Sequence, residues 1–379
     1  MPDKHARLSP SSSHIWLHCP PSVRLSEKYE DQSSIYAEEG TQAHSLCEWE
    51  LKGALGLIRG DDPRPGLSYY DQVMQDAAAD YTEAVLQHYE RLSERDIAAE
   101  VFIEEHVDFS DYVPGGFGTS DAIVIGDNEM VVCDFKYGKG IEVSAEHNTQ
   151  LMCYALGSYL LLSPIFDITK IVLVIYQPRI SNYSQWELTA DELLEWADTE
   201  LRPKAKSAEA GDGEFAAGDW CRFCRARSTC RERSRKNLEL LRYDFRLPPE
   251  LNDNEISDIL NMTDDFESWV KDIKDYALKS LLSGGKLDGW KVAEGRSIRR
   301  YVDEDLVAKA VTEAGYDPYE KKLLGITGMT SLLGKKQFNE LLSGLVEKPQ
   351  GKPVLVRADD KRPEYVGCKT DFMEANDYE

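Results

Sequence analysis

Residues 115–140 read GGFGTSDAIVIGDNEMVVCDFKYGKG, and this stretch decides the fold. Two apolar, β-branched runs, FGTSDAIVIG and EMVVCDFKYG, are separated by turn-forming residues, which is typical of a β-hairpin. A similar run, VFIEEHVDF, precedes them across a segment rich in Gly and Pro. We therefore expect three consecutive antiparallel strands here.

Helices and two further strands are expected around this meander. Apolar periodicity indicates helices over about 37–57, 69–93, 144–162 and 190–210. The run ITKIVLVIYQP is short and β-branched, as in a fully buried strand, and YSQWEL is a weaker strand. This order predicts an α/β sandwich in which helices flank a mixed sheet.

The hairpin carries a set of side chains suited to phosphodiester cleavage. Asp134 and Lys136 are two residues apart on one strand and therefore share a face, and the partner strand can place Asp121 beside them. Two carboxylates provide hard oxygen ligands for Mg²⁺, and a lysine can orient water and stabilise developing charge. An acid-x-Lys pattern alone is weak, because surface salt bridges produce it as well.

The helix expected after the hairpin adds Gln150 and Tyr154, which lie four residues apart on one helix face. Together with Asp121, Asp134 and Lys136, this assembly resembles the core of the RecB-like PD-(D/E)XK nucleases. The resemblance implies a restriction-endonuclease-like α/β core and metal-dependent DNA cleavage. It also implies that Gln150 and Tyr154 steady the catalytic lysine or the DNA backbone.

The resemblance further implies a metal-binding histidine on an upstream helix, and GTQAHSLCE supplies His44 in that context. Mg²⁺ or Mn²⁺ would then be held by His44, Asp121 and Asp134, with the carbonyl of Phe135 completing the set. Glu104 is a second-rank candidate, because charged residues on strands usually face solvent. By itself, a lone histidine on a helix is more often a packed or solvated residue.

Four cysteines form a second candidate site. Cys221, Cys224 and Cys230 have the spacing Cys-x2-Cys-x5-Cys, and Cys19 in HCPPS offers a fourth thiolate. Spacing alone fits either zinc or an iron–sulfur cluster. The resemblance to AddB-type and CRISPR-associated members of the RecB-like group implies a [4Fe–4S] cluster that joins the two ends of the nuclease domain. Plain burial is the better interpretation of the remaining cysteines, Cys47, Cys133, Cys153 and Cys368.

The charge of this 379-residue chain is strongly acidic, with a net charge of −24. That balance argues against a protein that coats nucleic acid non-specifically. Residues 221–246, however, contain nine Lys/Arg against three Asp/Glu, and we interpret this basic segment as a DNA-facing surface rather than a solvated helix face. No apolar run approaches the roughly 20 residues of a membrane span and the N-terminus is polar, so we expect a cytoplasmic protein with no membrane contact.

Two domains are expected, a nuclease domain over 1–240 and a mainly helical domain over 241–379. The second resembles the C-terminal part of a phage and prophage family of RecB-like proteins, which implies a phage replication or recombination setting. It includes a predicted hairpin over 289–302 and an acidic tail. Around that hairpin, arginines and aromatic residues could contact single-stranded DNA, although domain packing is the simpler interpretation; they are Trp290, Arg296, Arg299, Arg300 and Tyr301.

The sequence therefore predicts a metal-dependent deoxyribonuclease, with exonuclease the favoured mode, acting on single-stranded DNA or free ends in phage replication, recombination or repair. One alternative is a DNA-binding or assembly module that keeps the fold and the cluster without cleaving. Another is a zinc-stabilised adaptor whose carboxylates are surface groups. The sequence lacks a Gly-x4-Gly-Lys-Ser/Thr loop, so any motor would be a separate partner.

Overall fold

The computed structural model describes residues 6–29, 35–239, 251–294, 302–319, 323–342, 344–347, 356–357, 360 and 362. The chain divides into two compact units, Met1–Ala293 and Glu294–Glu379. The boundary that we predict near residue 240 falls on residues 240–250, which lie outside the described part of the chain. The long helix after this gap belongs to the first unit.

The described residues of the first unit form five strands and nine α-helices. The strands are β1 (Glu100–Asp108), β2 (Phe117–Gly126), β3 (Glu129–Phe135), β4 (Lys170–Gln177) and β5 (Asn182–Thr189). The helices are α1 (Ser13–Trp16), α2 (Ser22–Ser26), α3 (Ile35–Ala54), α4 (Gln72–Ser93), α5 (Thr149–Leu162), α6 (Ala190–Trp196), α7 (Arg202–Ala210), α8 (Arg231–Asn237) and α9 (Asp253–Leu282). Short 3₁₀ turns cover Pro10–Ser12, Arg64–Gly66, Pro178–Ile180 and Asp219–Phe223.

One mixed sheet holds the strands in the order β1-β2-β3-β4-β5. The first three form the antiparallel meander expected from residues 101–138. Helix α5 then connects β3 to β4, which run parallel, and β5 returns antiparallel to β4. The predicted fold class, an α/β core with a mixed sheet flanked by helices, is confirmed.

Two apolar cores lie on opposite faces of this sheet. One contains residues of α5, α6 and α7, and the other contains residues of α3 and α4. Strand β3 is buried throughout and serves both, because successive side chains alternate between faces. Met130 and Val132 point into the α5 core, whereas Val131, Cys133 and Phe135 point into the α3 and α4 core. Asp134 and Lys136 continue the first of these two rows.

Two helix boundaries differ from the expectation for local reasons. The helix expected from residue 144 begins only at Thr149, because extended Asn148 caps it and accepts a hydrogen bond from the Leu151 amide at 3.1 Å. The helix expected over 190–210 is present but passes through a π-turn at Ala197–Leu201. Pro203 follows that turn and has no N–H to donate to the previous turn of helix.

The second unit contributes α10 (Glu304–Glu313) and α11 (Ile326–Leu342), which is interrupted at Gly334, where φ is +73°. The helical character expected of the C-terminal part is therefore confirmed. Half of the predicted hairpin lies outside the described residues, including Arg296, Arg299, Arg300 and Tyr301, and so does the acidic tail. Among the described helices, none has an apolar stretch long enough to cross a bilayer.

Candidate metal centre and cysteine cavity

Asp121 sits where strands β2 and β3 separate. The two strands pair as far as Ala122 and Cys133. Beyond that pair, the backbone N–H of Phe135 donates to Asp121 Oδ2 at 2.8 Å, so a side-chain carboxylate takes the place of the next strand carbonyl. This bond fixes one carboxylate oxygen and leaves Oδ1 directed towards α3.

His44 and Glu104 approach Asp121 from two other elements. His44 Nδ1, on α3, lies 3.3 Å from Asp121 Oδ1, and its ring meets Phe135 edge-on at 5.3 Å between centroids. Glu104 comes from β1, and one ligand atom of each of the three residues lies within 4.8 Å of the others. We call His44, Glu104 and Asp121 the acid–histidine triad. Two carboxylates and an imidazole are a suitable donor set for Mg²⁺ or Mn²⁺.

Glu104 reaches the triad through an unusual backbone conformation. Its φ is +51°, between the regular pairs formed by Ile103 with Ala122 and by Glu105 with Ser120. A left-handed φ is uncommon for a residue other than glycine and clusters at functional sites, where surrounding structure enforces it. Glu104 is therefore half-buried rather than solvent-facing, and its rank as a metal ligand stays a prediction.

Asp134 and Lys136 form a second group on the α5 face of the sheet. Lys136 Nζ lies 2.8 Å from Asp134 Oδ2 and donates to Gln150 Oε1 at 3.1 Å. Gln150 Nε2 in turn donates to Asp134 Oδ1 at 3.4 Å and to the Tyr154 hydroxyl at 3.3 Å. We call these four residues the lysine network. All four were singled out from the sequence, and the structure brings them together.

Gly118 makes room for the last member of that network. A Cβ atom at position 118 would lie 2.8 Å from Cε1 of Tyr154, closer than real Cβ contacts come. Gly118, the first residue of the Gly-Thr-Ser-Asp segment that ends at Asp121, is therefore needed for packing. It lets the Tyr154 ring pack directly on β2.

The structure places Asp134 and Phe135 differently from the metal set predicted from the sequence. The three-residue set within 4.8 Å contains Glu104 where Asp134 was expected, and the Asp134 carboxylate faces Lys136 and Gln150. Phe135 contacts Asp121 through its N–H, and its ring is fully buried. Metal ligation by Asp134 and by the Phe135 carbonyl stays a prediction.

Burial and neighbouring charges shift the pKa values of four groups in and beside the triad. Burial opposes the imidazolium, but the charge and hydrogen bond of Asp121 outweigh it and raise the pKa of His44 to about 9. Burial and then the Asp121 charge raise the pKa of Glu104 to about 7. Burial also raises the pKa of Asp134, whereas His44 holds the pKa of Asp121 below its ordinary value despite burial. A cation entering this site would displace protons.

The four cysteines of the second candidate site line one cavity. Cys19 follows α1, whereas Cys221, Cys224 and Cys230 lie in the segment between α7 and α8. All four are free thiols, and the wall also contains apolar side chains such as Ile15 and Leu25 together with Arg227 and Arg233. Burial raises the pKa of Cys221 to about 11 and shifts those of Cys19 and Cys224 in the same direction. These three thiols are thus protonated as they stand, and a metal would displace their protons.

The other described cysteines are buried in the two cores. Cys47 and Cys133 lie in the core between the sheet and helices α3 and α4, and Cys153 of α5 lies in the core on the other face. Their interpretation as packing residues agrees with these positions. Cys368 lies outside the described residues.

The basic segment after the cysteines is only partly free to face DNA. Arg233 is fully buried and pairs with Asp272 and Asp265 of α9, and Arg227 pairs with Asp272 at 2.9 Å. Arg235 pairs with acids of its own segment. The expectation that this whole segment forms a DNA-facing surface is therefore too broad, because two of its arginines attach α9 to the cysteine region.

Comparison with known proteins gives the family. Residues 5–363 match the model described as "Protein of unknown function (DUF2800)". The chain belongs to the DUF2800 family. This DUF2800 protein also shows a remote likeness to solved structures. One is described as SSO0001, with 18% identity over 49% of this chain and 95% of that chain, and a TM-score of 0.21.

A second solved structure is described as "Putative exonuclease" from Eubacterium rectale. It has 12% identity over 68% of this DUF2800 protein and 92% of that chain, with a TM-score of 0.31. Likenesses this remote leave the function to be inferred from the site itself.

Proposed function

We propose that this DUF2800 protein is a metal-dependent deoxyribonuclease of the RecB-like PD-(D/E)XK type, with exonuclease cleavage the favoured mode. One observation carries the proposal: the acid–histidine triad lies beside an ion-paired lysine. Asp121 accepts a hydrogen bond from the amide of Phe135, the residue that precedes Lys136, so the triad adjoins the lysine network where β2 and β3 separate. Cation ligands on one side and a fixed ammonium on the other are what phosphodiester hydrolysis requires.

The residues present fit a hard divalent cation. Mg²⁺ or Mn²⁺ would be held by His44, Glu104 and Asp121, with Asp134 and the carbonyl of Phe135 as further ligands. When bound, such an ion supplies Lewis acidity to the phosphate and lowers the pKa of a water molecule. The hydrogen bond from the Phe135 amide holds Asp121 in place before any ion arrives.

The lysine network would do the remaining work. Lys136 is partly exposed, and its amide donates to the Tyr176 carbonyl at 2.9 Å, which anchors its backbone on β4. Asp134 and Gln150 direct its ammonium group, so the charge is in place for a phosphate oxygen or the attacking water. The Tyr154 hydroxyl accepts a hydrogen bond from Gln150 Nε2 and so holds the Gln150 side chain in place. Burial raises the pKa of Tyr154, so its hydroxyl stays neutral.

We also propose that the four cysteines hold a [4Fe–4S] cluster, with zinc as the alternative occupant. Four free thiols around one cavity support a metal centre, and the resemblance to AddB-type nucleases favours the cluster. Cys19 and Cys221 are 202 residues apart (221 − 19), so a shared metal centre would close a very long loop. The role we assign to it is structural.

The substrate we propose is DNA that is single-stranded or has free ends, in a phage replication or recombination setting. The resemblance of residues 241–379 to a phage and prophage family supports the setting, and replication or recombination proteins are the expected partners. The acidic composition supports a localised DNA path rather than a broad basic surface.

The test is cleavage of end-labelled single-stranded, duplex and circular DNA by anaerobically purified protein with Mg²⁺ or Mn²⁺. Metal-dependent cutting that Lys136→Ala removes would support the nuclease, and the product ladder would give its end preference. If wild-type protein with a loaded cysteine site cuts none of these substrates, the proposal fails, and a non-cleaving DNA-binding module becomes the better interpretation. A zinc-only protein without an iron–sulfur chromophore would instead overturn the cluster.

A further inference from the structure

Two pairs of aromatic rings lie where the α1 turn packs on residues 219–223, beside the cysteine cavity. His14 and His18 lie four residues apart, and His18 Nδ1 lies 2.9 Å from the His14 carbonyl oxygen, so both rings project from one side of the α1 turn. His18 stacks on Trp220 at 4.3 Å with an interplanar angle of 16°. His14 meets Phe223 edge-on at 5.3 Å and 82°. We call these four residues the aromatic platform.

The platform is open to solvent although its rings are large. Phe223 is 57% exposed and His18 is exposed, whereas His14 and Trp220 are half-buried. A single exposed phenylalanine is ordinary, but two ring pairs that each include an exposed member form a surface patch that a binding partner would cover. The segment also carries exposed arginines, Arg222, Arg225 and Arg231.

Short contacts connect the platform to the lysine network. The hydroxyl groups of Ser13 and Thr149 hydrogen-bond at 2.7 Å, which ties α1 to the first turn of α5. Gln150, the next residue of α5, accepts the hydrogen bond from Lys136. The pKa of His14 is lowered first by burial and also by the nearby positive charges of His18 and Lys136. The rings therefore adjoin the side of the site where Lys136 lies.

We propose that the aromatic platform binds single-stranded DNA by base stacking and leads that strand to Lys136. Base faces are available for stacking in a single strand and are covered in a duplex, and stacking on aromatic rings accepts any base. Phosphates beside the stacked bases would meet Arg222, which adjoins Phe223 in sequence. This inference rests on the proposed nuclease function for its ligand, and it narrows the substrate to a single strand.

The test measures binding separately from cleavage. In a Lys136→Ala background, fluorescence anisotropy gives the affinity for a labelled single-stranded oligonucleotide and for a matched duplex over a range of salt. Phe223→Leu keeps an apolar side chain but removes the ring, and His18→Ala removes a second stacking face. We expect each to weaken single-strand binding by about 5-fold to 150-fold while the duplex affinity is unchanged. The dependence on salt should stay the same in both variants, whereas Arg222→Gln should reduce its slope.

Tyr183→Leu is the matched control, because Tyr183 is 47% exposed and lies on edge strand β5, away from the platform. It should bind single strands like the parent. Undiminished binding by Phe223→Leu, equal losses for single strand and duplex, or no single-strand binding by the parent would each overturn the proposal. The cleavage assay on wild-type protein tests the nuclease proposal separately. If the protein binds single strands but does not cut DNA, the platform proposal stands and the nuclease proposal fails.

Discussion

The metal centre and the cysteine cavity differ in what holds them together. The acid–histidine triad and the lysine network stand on the central sheet and on helices α3 and α5, and hydrogen bonds or ion pairs already join most of their side chains. The cysteine cavity is lined by thiols from two segments that are distant in sequence, with mostly apolar neighbours. The sheet and its helices thus hold the side chains of the first site in place without a ligand, whereas the arrangement of the four cysteines depends on the metal centre that they bind. Losing the metal ligands should therefore affect chemistry first, and losing the cysteines should affect folding first.

The sharpest way to test this contrast is Lys136→Ala. Removing the ammonium should reduce cleavage by about 10²–10³-fold, because a fixed cation no longer meets the developing charge. Some loss of thermal stability is expected, because the buried Asp134 carboxylate loses its ion pair, but it should be smaller than the loss in a cysteine variant. Steady-state cleavage rates and a melting curve measure both effects. Lys136→Arg, which keeps the charge, should recover part of the activity; a large loss of stability in Lys136→Ala would contradict the contrast.

Cys221→Ser should have the opposite profile. Losing one ligand should abolish the metal centre and lower the free energy of unfolding by roughly 3–5 kcal/mol, the scale expected for releasing a very long closed loop. Denaturant unfolding with iron and zinc analysis measures the change. Cys153→Ser is the matched control, because Cys153 is also buried but lies in the α5 core. The Cys153→Ser protein should retain the metal centre. If both variants lose metal equally, the cysteines of the cavity are not the specific ligands.

Glu104→Gln distinguishes a functional residue from a structural one. The folded pKa of Glu104 is about 7, above the ordinary 4.5, so the cost of holding its charge grows as pH rises from 4.5 to 7. Glutamine avoids that cost. Metal-free Glu104→Gln should therefore be about 1–3 kcal/mol more stable than wild type above pH 7 and nearly equal near pH 4.5, as melting curves would show.

The same variant should bind Mn²⁺ more weakly than wild type. Glu105→Gln is a suitable control, because Glu105 is the neighbouring acid and is absent from the triad. A Glu104→Gln protein that is less stable at every pH would mean that this carboxylate supports the fold instead.

Metal affinity should rise with pH. The pKa of His44 is about 9 and that of Glu104 about 7 without metal, so binding must displace their protons. Affinity should gain up to about tenfold per pH unit for each proton displaced, and calorimetry in buffers of different ionisation enthalpy would count those protons. The stabilisation from protonated His44 is complete below pH 6.5 and is lost as pH rises through about 9, so metal-free protein weakens over the same range. Affinity that does not change with pH would place the cation elsewhere.

The site residues whose grouping the sequence predicted are those that lie close together along the chain. Asp121, Asp134 and Lys136 belong to one hairpin, so strand alternation places them together. Gln150 and Tyr154 follow by helical spacing on α5. Each step needs only a local period, which is why these residues meet as expected.

What the sequence could not supply depends on single conformations or on distant packing. Glu104 reaches the triad because its backbone adopts a left-handed φ within a strand. The sequence, two adjacent glutamates in an apolar run, does not predict that conformation. Arg233 is buried because α9 packs against it. A count of the basic residues in 221–246 does not distinguish it from an exposed arginine. The platform ring of Phe223 is next to His14 only because the cysteine segment packs against α1.

The attachment of α9 has a consequence for anyone shortening this protein. A truncation just after α8 would keep every residue of the proposed nuclease site and of the cysteine cavity, yet it would take both aspartate partners from Arg233 and uncover the surface that packs on α9. Removing one side of a buried ion pair is strongly destabilising. We therefore expect a stable fragment of this protein to extend through α9, well beyond the last residue proposed to take part in the chemistry.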